Sequence, residues 1–156
     1  MMTVVLADGR RGALRIATRL ATALCDRAPD KLLRADAVVA AKDVVLGPGA
    51  MLVVGSGVAD GAPDARLLEV LGGLDLAGTV VFLASVGAWP AETRTAERQL
   101  RPVVRAAGGW CPAPVLHCAD DDPRAVAAFC RYWRPVVAAL ADTAAARPPS
   151  EGTVAA

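Results

Sequence analysis

The sequence predicts an α/β fold: a doubly wound, five-stranded parallel sheet of order 2-1-3-4-5, with helices on both faces as a three-layer sandwich. Three observations carry this expectation. Apolar runs of strand length alternate with segments of helical period, which argues for parallel strands joined by right-handed crossovers. The two longest runs, MLVVGS (51–56) and TVVFLASV (79–86), are continuous rather than alternating, as in strands covered on both faces. Both runs end in small residues followed by glycine-rich turns, where backbone can approach a ligand closely.

Taken in order, Thr3 to Ala7 (TVVLA) is the first strand and DGRRGA (8–13) the turn after it. Leu14, Ala17, Leu20, Ala21 and Leu24 recur at helical spacing and predict a helix from about 13 to 27, ended by Ala28-Pro29-Asp30. A second strand, at the sheet edge, is expected within 34–41 (RADAVVAA), followed by a short connection over 42–50 with at most one helical turn. The third strand at 51–56 leads through GVADGAP (57–63) into a short helix ending at Gly72-Gly73. The fourth strand at 79–86 leads through GAWPAE (87–92) into a helix over 92–107. That helix turns Ala96, Leu100, Val103, Val104 and Ala107 to the sheet, carries Pro102, and stops at Gly108-Gly109. PVLHC (114–118) is the fifth strand, and Asp122-Pro123 a capped start for the last helix. Val126, Phe129, Cys130, Trp133, Val137 and Leu140 form its apolar stripe, with a kink expected at Pro135. Residues 1–142 make one domain, and 143–156 read as a disordered tail.

Bulk properties exclude several classes. Hydrophobic residues make up 54% of the 156 and charged ones 21%, so the chain is expected to be compact and folded. A net charge of +1 gives no case for nucleic acid or a membrane surface. No apolar run reaches the roughly 20 residues that cross a bilayer. MMTVVLADG is too short and too quickly polar for a secretory signal, so a cytoplasmic location is expected. Cysteines 25, 111, 118 and 130 show no CxxC spacing and no partnering histidine cluster, so no metal ligand is assigned and reduced thiols are the default.

In its central part the chain resembles the flavodoxin-like NAD(P)H-dependent FMN reductases. The resemblance lies in GSGVADGAPDARLLEVL (55–71), GLDLAGTVVFLASVG (73–87) and RQLRPVVRAAGGWCPAPV (98–115). It implies an FMN-binding fold that passes hydride from NAD(P)H through flavin to a small electron acceptor, commonly as a homodimer or tetramer. It further implies that Ser56, Gly57, Val58, Ala59, Asp60 and Gly61 lie along one edge of the isoalloxazine. Ser85, Val86, Gly87, Ala88 and Trp89 would contact its pyrimidine side and the ribityl chain. The first turn (Gly9, Arg10, Arg11, Gly12, Ala13) would hold the phosphate. There Ala7 to Ala13 departs from the family's G-S-x-R-x-x-S: Arg10 can stand for the family arginine and Gly12 keeps the turn, while Asp8 and Ala13 replace both hydroxyl residues. A carboxylate beside a dianionic phosphate is repulsive unless the arginines offset it or Asp8 turns away. No catalytic side chain is assigned, because in such enzymes the flavin performs the hydride chemistry.

Each feature also has a plainer reading. Arg10-Arg11 is either an anion site before a helix or a pair of solvated charges. Asp60-Gly61 serves a turn more simply than a ligand. Trp89 either stacks on a flat ligand or packs across a subunit contact, and Trp110 and Trp133 read as packing residues. His117, the single histidine, lies on the ligand side of the sheet, where a structural role is simpler than general acid–base work. Cys118 beside it shows no nucleophile constellation. Asp120-Asp121-Asp122 reads as helix capping and solvation. A phosphoacceptor response regulator is set aside, since the third strand ends Val54-Gly55-Ser56 and no lysine follows Lys42. A nicotinamide-binding Rossmann domain is set aside because DGRRGA is not GxGxxG. Two rivals to the reductase stay open: a scaffold that has lost FMN and binds another small molecule in the same crevice, and a non-catalytic interaction subunit.

Overall fold

The computed structural model describes all residues except Arg11, 59–61, Ala88, 120–121 and 147–156. Strands β1 (Thr3–Ala7), β2 (Lys31–Arg34), β3 (Met51–Gly57), β4 (Val80–Val86) and β5 (Leu116–Cys118) alternate with helices α1 (Ala13–Cys25), α2 (Ala65–Gly72), α3 (Pro90–Ala106) and α4 (Pro123–Ala146). The strands pair in parallel in the order β2-β1-β3-β4-β5, as the alternation predicts.

Strand side chains point to opposite faces in turn, so each central strand feeds two cores. Leu52, Val54, Val81 and Leu83 join Leu67, Leu71, Leu100 and Val104 beneath α2 and α3. Val53, Phe82 and Ala84 join Ile16, Leu20, Val126 and Val137 beneath α1 and α4. This double burial is why β3 and β4 read as unbroken apolar runs. In α3, Ala96, Leu100 and Val104 are buried, Val103 and Ala107 pack at the rim, and Pro102 faces solvent without interrupting the helix. Gly108 at φ 89° ends it, in the left-handed region that suits glycine.

The second strand lies earlier than expected. It occupies Lys31–Arg34, and the expected span 34–41 instead forms a 3-10 turn at Ala35–Ala37, with another at Ala41–Asp43. Asp30 fixes this register. Its N–H donates to Thr3 O at 2.8 Å, and its carboxylate accepts the Thr3 N–H at 2.7 Å. The chain is thereby tied to the first residue of β1 just before Lys31, so Val4 pairs with Lys31. The Arg27 guanidinium bonded to the Asp30 carboxylate holds that group down at about 2. The apolar residues of 34–41 cover the core edge instead: Ala35 and Val38 are buried, and the Arg66 guanidinium donates to Val38 O. They stand where a helix between β2 and β3 would.

Three smaller features refine the expected elements. The short helix is capped by Asp64, which accepts the Arg66 and Leu67 N–H groups at 2.9 and 3.2 Å. β5 is shorter than 114–118: it begins at Leu116, and Pro114, which has no N–H to give a ladder, lies outside it. The last helix runs to Ala146, beyond the expected start of the tail at 143; the remainder of that tail lies outside the described residues. Among the described residues, no helix is long and apolar enough to cross a membrane.

Candidate functional site

The C-terminal ends of β1, β3 and β4 meet at one edge of the sheet, where the strand order reverses, and this edge is where open α/β sheets bind ligands. A row of small residues, Ala7–Gly55–Ala84, crosses the three strands in register. It allows the start of α1 to sit low on the sheet. Gly12 precedes α1 with φ 92°, and Ala13 is fully buried. The first turn is thus held against the ends of β3 and β4.

Asp8 dominates this turn. It is 1% exposed. One carboxylate oxygen accepts the Arg10 N–H at 3.0 Å and the other accepts the Gly57 N–H at 2.7 Å. Burial pushes its carboxyl above the usual carboxylate range, while the two amides and the Arg10 charge pull the other way. The Arg10 guanidinium donates to Gly57 O and, at 3.2 Å, to Ala62 O. Arg10, expected at a phosphate, therefore ties the first turn to the loop after β3. Among the described residues the turn fits a phosphate poorly: a buried carboxylate stands in it, the Arg10 N–H already serves that carboxylate, and the matching arginine is engaged by carbonyls. Gly9 is exposed beside the Arg34–Asp36 pair, and Arg11 lies outside the described residues.

Glycine at the other two strand ends also serves the chain's own side chains. A methyl group on Gly57 would lie 2.8 Å from Arg10 Cδ, so the missing side chain makes room for the arginine stem. A methyl on Gly87 would overlap Glu92 Oε2, and that carboxylate accepts the Trp89 N–H at 3.1 Å to cap α3. Val58 is nearly buried, with its N–H on Val86 O at 3.2 Å, which joins the two loops at their roots. Trp89 is 70% exposed at the lip, free to meet a flat ligand or a second surface. Residues 59–61 and Ala88 of the expected contact set lie outside the described residues.

Ser56 and Ser85, expected against the flavin, are instead fully buried and lie with His117 in a polar row behind these loops. Ser56, Ser85 and His117 are register partners across β3, β4 and β5, on the face covered by α2 and α3. Ser56 Oγ donates to Gly57 O at 3.2 Å. Ser85 Oγ and both ring nitrogens of His117 are buried without a partner among the described residues. Such groups cost roughly 1–3 kcal/mol each when left unsatisfied. Ser85→Ala is therefore expected to stabilise the fold by about 1 kcal/mol in a denaturant titration; a lowered midpoint would mean that the hydroxyl has a partner. Cys118, next to His117, is 1% exposed and packs in the core beside Leu116. Burial pushes the Cys111 and Cys130 thiols up, away from reactivity. Asp122 caps α4 through the Arg124 N–H at 2.8 Å. Trp133 packs on Phe82 and Phe129, whereas Trp110 is half-exposed.

A second unanticipated feature is an open groove of about 1160 Å³ running from the first turn along α1 to the β2 edge. Leu14, Thr18 and Thr22 of α1 form one wall and Leu32 and Arg34 of β2 the other. It exists because α1 packs over β1, β3 and β4, which leaves the α1-side face of β2 uncovered and Leu32 half-exposed. With the strand expected at 34–41, this wall could not be foreseen. Among the described residues, no group of three or more His, Cys, Asp or Glu is placed to hold a metal ion.

No protein-family model and no curated protein matches the chain. Solved structures match it along nearly its whole length. A flavodoxin of Streptococcus pneumoniae TIGR4 is 17% identical, with a TM-score of 0.65 over 92% of this chain and 99% of that one. An oxidoreductase of Corynebacterium diphtheriae is 13% identical, with a TM-score of 0.66 over 95% and 99%. An NADH:FMN oxidoreductase in its apo form is 18% identical, with a TM-score of 0.59 over 95% and 92%. At these identities the likeness is one of architecture, and the chain has the flavodoxin-like fold.

Proposed function

We propose that the chain is a flavin-linked oxidoreductase that takes a flavin ring at the joined ends of β1, β3 and β4 and serves hydride transfer from NAD(P)H to a small acceptor. The observation that supports this best is the convergence of three small-residue strand ends at the switch point of the sheet, with the exposed Trp89 ring beside them. Neighbours of the same architecture and nearly the same length include flavodoxins and an NADH:FMN oxidoreductase. A bound flavin brings its own redox chemistry, and the protein supplies a slot, backbone contacts and exclusion of water. No side chain is needed as acid or base.

One observation favours a second reading. The buried Asp8 carboxylate accepts one amide of the first turn, Arg10, and one at the end of β3, Gly57, as expected of a scaffold that no longer holds FMN and takes another small molecule in the crevice. Flavin titration separates the two. On the first reading, added FMN or riboflavin loses fluorescence saturably on mixing with the protein, and NAD(P)H oxidation depends on added flavin. Unchanged flavin fluorescence and no flavin-dependent oxidation would remove the first reading, and a rise in Tm with some other metabolite would then support the second.

A further inference from the structure

The sheet ends in two edges, and they are protected unequally. The β5 edge is three residues long and follows Pro112 and Pro114, which have no N–H for an incoming strand. The β2 edge carries no proline, and among the described residues no helix covers its α1-side face. Its main chain is open as well. The Met51 N–H donates to Met2 O and the Asp8 N–H to Gly55 O, so the even-numbered residues of β1 bond β3, while Val5 and Ala7 turn their groups to β2. Val5 stands opposite Leu32 and Ala7 opposite Arg34, so the N–H groups of Leu32 and Arg34 point away from the sheet. Apolar side chains gather at the same edge. Of the six large apolar residues exposed among the described ones, Leu32, Val39 and Val45 belong to β2 and the connection after it.

We propose that β2 is the contact between two copies of this chain, paired antiparallel about a twofold axis at Leu32, so that the two sheets run on as one. Charge selects this register. β2 starts beside Asp30 and ends at Arg34, both part-exposed. Antiparallel pairing at Leu32 brings Arg34 of each copy to the Asp30 end of the other, and the symmetry of the contact makes that match twice. An axis between two residues would set open main-chain groups against engaged ones. Moved to Leu33, the axis brings Asp36 against Asp30; moved to Lys31, it sets two lysines face to face. Within one copy Asp30 pairs with Arg27 and Arg34 with Asp36, and exposed pairs of this kind are worth little, so exchanging partners costs little. In the pair the two grooves face each other, with Leu32 of both copies on a common floor between the two α1 helices. The contact does not depend on which ligand the crevice takes.

The test follows the full chain by sedimentation velocity and by amide hydrogen exchange over a concentration series. The paired strands are short, so a reversible dimer with a dissociation constant of about 1–100 µM is expected. The Leu32 and Arg34 amides should exchange more slowly as the dimer forms. Leu32→Arg sets two like charges at the axis and is expected to weaken the dimer about tenfold or more, with the unfolding midpoint of the dilute monomer unchanged. Arg34→Glu sets an acid against Asp30 of the second copy. It should weaken the dimer in the same direction, and it covers the case in which the first variant does not fold. A chain that stays monomeric at about 1 mM overturns the proposal. So does a dimer that survives both substitutions, or one whose Leu32 and Arg34 amides exchange as freely as in the monomer, since the contact then lies on another face. A dimer broken by Leu32→Arg and untouched by Arg34→Glu overturns the axis at Leu32.

Discussion

Gly55→Ala is expected to lower the unfolding free energy by about 3 kcal/mol or more, beyond the usual cost of an added core methylene. A Cβ built on Gly55 would lie 2.3 Å from Ala13 O and 2.9 Å from the Ala17 Cβ. The first obstacle is backbone, so no rotamer change relieves it. Either α1 lifts off the sheet or β3 is pushed away from β1 and β4. The strain would reach the site, because the Asp8 N–H donates to Gly55 O at 3.1 Å and the Gly57 N–H binds the Asp8 carboxylate. Denaturant unfolding reads the loss directly. A change below about 1 kcal/mol would show that α1 does not depend on the small-residue row Ala7–Gly55–Ala84.

Phe82→Ala should cost about 3–5 kcal/mol by removing the centre of the core under α1 and α4. The ring is fully buried and meets Phe129 and Trp133 edge-on, each with centroids 6.2 Å away. Both partners come from α4, so the cluster is the main aromatic attachment of the last helix to the sheet. The deletion is therefore expected to reduce hydrogen-exchange protection most in α4, together with the fall in the global midpoint. Phe82→Leu, which restores most of the volume, should recover more than half of the loss. Equal losses for alanine and leucine would mean that the edge-on geometry, rather than filled volume, holds α4.

How much of this was legible in the residues depends on the kind of signal. Met51 to Ser56 and Thr79 to Val86 read as central strands because burial on both faces leaves no polar period to misplace. The stripe from Leu14 to Leu24 marks α1 because helical spacing is a local property. The run Ala35–Ala41 misled for a related reason: short apolar segments look alike whether they pair in a ladder or roof a core. What placed β2 at Lys31–Arg34 was a tie between Asp30 and Thr3, 27 residues apart. In the first turn, the absence of both hydroxyl residues was visible, but the role of the residue replacing one of them was not. Asp8 and Gly57 are 49 positions apart, and only folding shows that the carboxylate reaches that amide.

By itself the sequence determined the doubly wound sheet, its strand order, the two cores and the edge at which a ligand would be met, because periodicity and run length act within one element. Only the tertiary structure decided what occupies that edge. Asp8 lies on the amides, Arg10 over Gly57, Glu92 over Gly87, and a groove opens beside β2. These contacts join residues from separate strand ends, and a hydrogen bond of that kind has no period to leave in a linear chain.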